Sequence, residues 1–163
     1  MIKVGDNIPP ASVVILSPQG LETIDFAAYI AGKKVVIFAV PGAFTPTCSQ
    51  KHLPSYVENA ERIKAMGIDE IICVAVNDPF VMKAWGEQAQ ADGIVTMLPD
   101  GNAAFTRAVG MEADDSAYGM AIRSRRYSMV VDKGIVIELQ VEQGDGDMEV
   151  SGGDECLALL SRF

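Results

Sequence analysis

Continuous apolar segments separated by helix-like stretches dominate the first two thirds of the chain. Residues 34–40 (KVVIFAV) and 71–76 (IICVAV) are apolar and rich in β-branched side chains, which is typical of strands covered on both faces. A helical pattern runs between them from about residue 47 to 66. A second helix begins with Asn-Asp-Pro, spans about 77–91 and precedes a strand at 94–98. The order βαβαβ predicts parallel strands with helices on the sheet faces.

Two hairpins flank this central unit. Segments 13–16 and 21–24 enclose the turn SPQG, and segments 127–131 and 135–141 enclose the turn DKG. Short helices are predicted at 25–31 and 103–109, and the segment 111–124 is predicted to be irregular. Pro54 should perturb the helix at 47–66. A final helix is predicted with Ser151 as its N-cap and Asp154 in its first turn. The pattern predicts one α/β domain over residues 1–163, with a central mixed β-sheet flanked by helices.

Charge and composition narrow the classes of function. The chain carries 13 Lys and Arg against 22 Asp and Glu, a net charge of −9, which argues against nucleic-acid or anionic-membrane partners and favours small molecules or proteins. We find neither a secretory signal pattern at the N-terminus nor an apolar stretch of membrane-spanning length. Three cysteines, at 48, 73 and 156, are too few and too scattered for a disulfide framework or a zinc site, so we expect a reducing cytoplasm.

The segment 41–49 (PGAFTPTCS) carries the clearest chemical signal. It follows a buried strand directly and places Cys48 in the first turn of a helix, where unpaired backbone N–H groups and the helix dipole favour a thiolate. A helix start contributes about 0.3 to 1 kcal/mol and rarely about 2, whereas holding a thiol ionised at neutral pH requires about 3 to 4 kcal/mol. A cation is therefore needed, and the compact basic cluster is Arg123, Arg125 and Arg126. We expect one of these arginines to lie over Cys48.

Three motifs in register resemble the peroxiredoxins of the thioredoxin superfamily. The motifs are PGAFTPTC at 41–48, VNDPFVMKAW at 76–85 and RYSMVV at 126–131, and they are similar to the type II, or peroxiredoxin-five, subfamily over nearly the whole chain. The resemblance implies a thioredoxin-like fold and a thiol peroxidase that reduces hydrogen peroxide or organic hydroperoxides without metal or flavin. It implies Cys48 as the peroxidatic thiolate, Thr45 as its hydroxyl partner, Pro41 as a shield and Arg126 as the cation. Thr47 is assigned to helix capping.

The resemblance also implies partners. Cys48 becomes a sulfenic acid that another thiol must reduce, with glutathione and glutaredoxin, or thioredoxin, as the expected reductants. Family members with an internal disulfide usually carry the second cysteine just before the last helix, where this chain has Val150 and Ser151, and Cys73 and Cys156 are expected to be core residues. A homodimer is implied as well, with Phe44, Phe80 and Trp85 as candidate contacts.

Other functions remain as alternatives. Thr45 stands where a Cys-x-x-Cys reductase has its first cysteine, so dithiol exchange at this turn is excluded. Cys48 also suits a peroxide sensor or redox-regulated binding protein, in which its oxidation is a signal. His52, the single histidine, lies four residues after Cys48 and raises a cysteine hydrolase as a remote alternative, although a structural His52 is favoured.

Overall fold

A five-stranded mixed sheet with helices packed on its faces forms the centre of the computed structural model, which describes residues 1–144 and 146–162. The predicted α/β architecture, a thioredoxin-like fold, is confirmed. Its helices are α1 (Phe26–Ile30), α2 (Leu53–Ala65), α3 (Pro79–Gln88), α4 (Ala104–Ala108) and α5 (Gly153–Leu160). Its strands are β1 (Ser12–Ser17), β2 (Gly20–Asp25), β3 (Lys34–Ala39), β4 (Glu70–Ala75), β5 (Thr96–Pro99), β6 (Glu112–Asp114), β7 (Ile122–Ser124), β8 (Tyr127–Asp132) and β9 (Ile135–Val141).

The main sheet combines parallel and antiparallel strands. The order is β5-β4-β3-β8-β9, with β3, β4 and β5 parallel and β8 and β9 antiparallel to their neighbours. Helices α2 and α3 cross between the parallel strands, because such strands need a long connection. Both predicted hairpins form, β1 with β2 and β8 with β9.

Two apolar clusters lie on opposite faces of the sheet. Alternate residues of β3 enter different clusters, Val35 and Ile37 on one face and Val36 and Phe38 on the other, because successive side chains of a strand point to opposite sides. The second cluster also contains Cys48. Among the described residues, no helix has the length and apolar character to cross a membrane.

The segment expected to be irregular at 111–124 is partly ordered. Strands β6 and β7 pair antiparallel, and a 3₁₀ turn at Ser116–Tyr118 connects them. The pairing is three residues long, too short to produce the alternation by which strands are recognised in a sequence.

The predicted N-cap of the last helix is wrong. Gly152 occupies that position, and no side-chain capping bond is formed there. The Ser151 hydroxyl instead donates a hydrogen bond to the carboxylate of Glu142. Ser151 therefore lies one residue before the cap position, and its hydroxyl proton goes to a carboxylate, because hydrogen bonds to ionised acceptors are stronger than those to neutral ones. Asp154 lies in the first turn of α5, as predicted.

Candidate active site

Cys48 follows the carboxyl end of β3 and begins a π-helical turn, Cys48–His52, that leads into α2. The Cys48 carbonyl accepts the N–H of Leu53, a wider spacing than that of an α-helix. Pro54 lies in the first turn of α2, where its missing N–H group costs little. The helix irregularity expected at Pro54 therefore lies in the turn before it, Cys48–His52. Cys48 is the first residue of this turn, and its side chain has no exposed surface.

Arg126 approaches Cys48 from the neighbouring strand. It directly precedes β8, whose first residue Tyr127 pairs with Ala39 at the end of β3. This register brings the arginine to the strand end from which the cysteine loop leaves. Its Nη2 donates to Cys48 Sγ over 3.2 Å, and the residue is 2% exposed. Of the three arginines considered from the sequence, Arg126 is the one whose guanidinium contacts the sulfur.

His52 contacts the other side of the guanidinium. Its Nδ1 lies 2.9 Å from Arg126 Nη1, and its Nε2 lies 2.9 Å from the Ser151 carbonyl oxygen. Because arginine only donates and a carbonyl only accepts, His52 is neutral with its proton on Nε2. Burial and the Arg126 charge lower the pKa of His52 to about 3. Both ring nitrogens are thus engaged away from Cys48, and the hydrolase alternative lacks its base.

The loop before Cys48 is held at several points. The Thr45 hydroxyl donates to the Gly42 carbonyl over 2.8 Å. Because its proton is used in this bond, the Thr45 oxygen keeps lone pairs with which it can accept a hydrogen bond. Pro41 is buried, and its carbonyl accepts from Arg123 Nη1 over 3.4 Å. A Cβ on Gly42 would lie 2.8 Å from the same Nη1, so a larger residue there would displace the end of the Arg123 side chain.

Two further residues near Cys48 differ from expectation. Thr47 has helical dihedral angles and forms no capping bond; its hydroxyl donates to the Gly146 carbonyl over 3.3 Å. The predicted capping role is therefore wrong, because the helical segment begins before Thr47. Trp85, a candidate dimer contact, is 1% exposed and its indole N–H donates to the Ser49 hydroxyl over 3.0 Å. Its ring belongs to the core, and Phe44 and Phe80 are exposed.

All three cysteines are free thiols and all are buried. Burial, together with the nearby Cys48, raises the pKa of Cys73 well above its ordinary value, although Arg126 opposes the shift. Burial raises the pKa of Cys156 to about 12. Neither thiol is prepared to ionise. Among the described residues, no group of three or more His, Cys, Asp or Glu is arranged to hold a metal ion.

Comparison with known proteins identifies the family. The model of the Redoxin family matches residues 3–157. The chain is 44% identical over 160 residues to Peroxiredoxin-2B of Arabidopsis thaliana, with 98% of each chain covered. The chain belongs to the peroxiredoxins. This peroxiredoxin is also 48% identical over 164 residues to the chloroplastic Peroxiredoxin-2E-2 of Oryza sativa subsp. japonica, covering 98% of its own length and 72% of the relative's.

Solved structures agree with this assignment. The crystal structure of reduced Prx3 from Vibrio vulnificus in complex with hydrogen peroxide superimposes with a TM-score of 0.93 at 47% identity, covering 98% of this chain and 99% of the other. The type II resemblance inferred from the sequence motifs is thus confirmed, and this peroxiredoxin is a thiol-dependent peroxidase.

Sequence reasoning missed three residues that build the site. Asn77 accepts the N–H of Ala43 over 2.9 Å, Ser151 offers its carbonyl to His52, and Glu142 binds Ser151. Asn77 lies in the motif VNDPFVMKAW, which carries the family resemblance. The motif therefore pointed to this residue, but its hydrogen bond to Ala43 could not be inferred from it. The contacts between Ser151 and Glu142 join residues nine positions apart, and the sequence between them carries no periodic pattern.

Proposed function

We propose that Cys48 is the peroxidatic residue, and that it reduces hydrogen peroxide and organic hydroperoxides with the help of Arg126, Thr45 and Pro41. The single observation that carries the proposal is the Arg126 Nη2 to Cys48 Sγ contact of 3.2 Å inside a buried site. A guanidinium remains charged in such surroundings and stabilises a thiolate there far more than it would in water.

The chemistry follows from this arrangement. The Cys48 thiolate attacks the terminal oxygen of the hydroperoxide, a sulfur–oxygen bond forms and the oxygen–oxygen bond breaks. Sulfur loses two electrons and becomes a sulfenic acid, while the departing hydroxide or alkoxide takes a proton from solvent to give water or an alcohol. Arg126 meets the negative charge as it moves from sulfur to the departing oxygen. The Thr45 hydroxyl accepts a hydrogen bond from the peroxide, and Pro41 shields the sulfur.

An external thiol regenerates Cys48 in this proposal, either glutathione with glutaredoxin or thioredoxin. Support comes from Cys73 and Cys156, which are buried with raised pKa values. Val150 and Ser151 occupy the place where related proteins usually carry a second reacting cysteine. Because Cys48 has no exposed surface, a reductant thiol reaches it only when the turn Cys48–His52 opens.

Replacement of Cys48 tests the proposal. Cys48→Ser is expected to abolish peroxide consumption with every reductant while the far-UV circular dichroism stays unchanged, because serine fits the space of cysteine and lacks the nucleophile. Cys156→Ser is the matched control and should retain turnover. A panel with glutathione plus glutaredoxin and with thioredoxin identifies the reductant. Substantial turnover by Cys48→Ser would refute the role of Cys48.

We also propose a homodimer that uses Phe44 and Phe80. These side chains are 48% and 58% exposed, and exposed aromatic rings are frequent at interfaces. Phe44 in addition has a φ of 65°, a conformation that costs energy in a bulky residue. The double variant Phe44→Ser with Phe80→Ser should reduce the mass measured by light scattering, whereas Leu21→Ser, another exposed apolar position, should not. An unchanged mass would refute the proposed interface.

A reducing compartment such as the cytoplasm is proposed as the setting. The three free thiols support it, as does the need for an external reductant. Trapping the cysteines with an alkylating reagent in fractionated cells should find them reduced in the cytoplasmic fraction, and recovery in another compartment would refute this setting.

A further inference from the structure

Glu142 is a buried carboxylate beside the site, and in the hydrogen bonds of the described residues its side chain contacts neither Cys48 nor Arg126. It directly follows β9 and is 4% exposed. Its backbone N–H donates to the carbonyl of Arg126 over 3.0 Å, so the two residues are neighbours across the end of the β8–β9 ladder. A buried carboxylate is costly unless several hydrogen-bond donors meet it, so its partners indicate what it holds in place.

Among the described residues, the hydrogen-bond donors to the Glu142 carboxylate belong to the short segment 149–151. Its carboxylate accepts the N–H groups of Glu149 at 2.9 Å, Val150 at 3.0 Å and Ser151 at 2.7 Å, and also the hydroxyl of Ser151. Burial opposes ionisation, but these bonds outweigh it and hold the pKa of Glu142 below its ordinary value. Glu142 is therefore a carboxylate at neutral pH and fixes the backbone of the segment.

Ser151 connects this carboxylate to the active site. Its carbonyl accepts the Nε2–H of His52 at 2.9 Å and the hydroxyl of Tyr56 at 2.7 Å. The acceptor at Nε2 fixes the proton there, and Nδ1 is left with a lone pair directed at Arg126. Rotation of the Ser151 carbonyl would remove the reason for this tautomer, and a proton on Nδ1 would oppose the arginine N–H.

We propose that Glu142 is a positioning residue for the peroxidase reaction, acting through the Ser151 backbone and His52 to hold Arg126 against Cys48. Glu142 touches neither sulfur nor substrate. It determines the orientation of the Ser151 carbonyl, the carbonyl determines the tautomer of His52, and His52 determines where the Arg126 fork lies. The inference rests on the roles proposed for Cys48 and Arg126, which Cys48→Ser tests independently.

Glu142→Gln with Glu149→Gln as control tests this inference. Glutamine keeps the size of the side chain but turns an amide N–H₂ toward the backbone donors of 149–151. Glu149 lies in the same segment with an exposed side chain, so its replacement makes the same change of charge and keeps the backbone N–H that donates to Glu142. The readouts are the rate of Cys48 oxidation under stopped flow and the ¹⁵N resonances of His52, which are unambiguous because the chain has one histidine.

The parent and Glu149→Gln should oxidise at the same rate with the His52 proton on Nε2. Glu142→Gln should oxidise at least about tenfold more slowly, the equivalent of about one hydrogen bond, with a mixed or inverted tautomer. Ser151→Ala removes only the hydroxyl donor to Glu142 and should change both readouts in the same direction but by less. This variant replaces Glu142→Gln in the test if Glu142→Gln does not fold. An unchanged rate, or a slower rate with the Nε2–H tautomer intact, overturns the proposal, even where Cys48→Ser is inactive.

Discussion

Arg126 Nη1 lies 2.9 Å from Nδ1 of His52, although 74 residues separate the two along the chain. The contact occupies one arm of the guanidinium fork, and the other arm donates to Cys48 Sγ. A planar fork held at both arms cannot rotate away from the sulfur, so the charge is fixed before peroxide arrives. Preorganised charge of this kind is worth more in a water-excluded site than in solvent.

Arg126→Lys should slow oxidation of Cys48 about 10- to 150-fold, the equivalent of one charged hydrogen bond of about 1.5 to 3 kcal/mol. A lysine ammonium keeps the charge but cannot reach both His52 Nδ1 and Cys48 Sγ in the arginine geometry. Stopped-flow kinetics with hydrogen peroxide at pH 7 measures the effect. Arg125→Lys, the adjacent substitution, should leave the rate unchanged, and an equal loss in both variants would contradict the specific role of Arg126.

Acid should destabilise the protein through His52. Its pKa falls from an ordinary value near 6.5 to about 3 in the folded state, so below pH 6.5 the unfolded chain binds a proton that the folded chain rejects. Stability is therefore lost as pH decreases, by about 2 kcal/mol between pH 7.5 and pH 5 from this group alone. Urea unfolding at the two pH values measures it. In His52→Gln the loss of stability over this range should be about 2 kcal/mol smaller, with the remainder coming from carboxylates such as Glu142, and an identical slope would contradict the assignment.

Trp85 should report the redox state of Cys48. It is the single tryptophan, and its indole N–H donates to the hydroxyl of Ser49, one residue from the reacting sulfur. Formation of a sulfenic acid changes the polarity and hydrogen bonding beside this pair, so tryptophan emission should change on addition of hydrogen peroxide. Cys48→Ser should show no change. An identical response in that variant would mean that the signal arises elsewhere.

Cys73→Ala and Cys156→Ala should each retain peroxidase turnover close to that of the parent. Both thiols are buried and their pKa values are raised, so neither is a ready partner for the sulfenic acid at neutral pH. Each substitution should lower the free energy of unfolding by about 1 kcal/mol through the small void it leaves. Loss of turnover in Cys73→Ala, with a Cys48–Cys73 disulfide found by mass spectrometry in the oxidised parent, would contradict external resolution.

Gly153→Ala should destabilise the protein. A Cβ at Gly153 would lie 2.3 Å from the carbonyl oxygen of Ser55 in α2, so α5 would have to move away, at a cost of about 1 to 3 kcal/mol. This outweighs the gain of about 0.5 to 1 kcal/mol that alanine brings to a helix. Gly146→Ala, where a Cβ meets nothing within 4 Å, is the control. Equal midpoints of urea unfolding in the two variants would show that the contact does not matter.

The sequence by itself determined the strands of the main sheet, the two hairpins, the helix starts near Asp25 and Asp78, and the placement of Cys48 at the start of a helical segment. These features depend on residues that are close together in the sequence, through hydrophobic periodicity and turn chemistry. They can therefore be predicted from the sequence alone. The sequence also required a cation near Cys48, because the energy available from a helix start is too small. The choice among Arg123, Arg125 and Arg126 came from the family resemblance.

Only the tertiary structure decided how the cation is held. The register of β3 against β8 sets Arg126 beside the sulfur, and the carboxylate of Glu142 takes the Ser151 hydroxyl that the sequence had assigned to a helix cap. The hydrogen bonds that fix the His52 tautomer join residues about 70 to 100 positions apart. Such contacts depend on burial, which removes the competing water and makes one arrangement of donors and acceptors far better than the others. No local sequence pattern indicates which donor pairs with which acceptor, so the pairing is determined only when the chain folds.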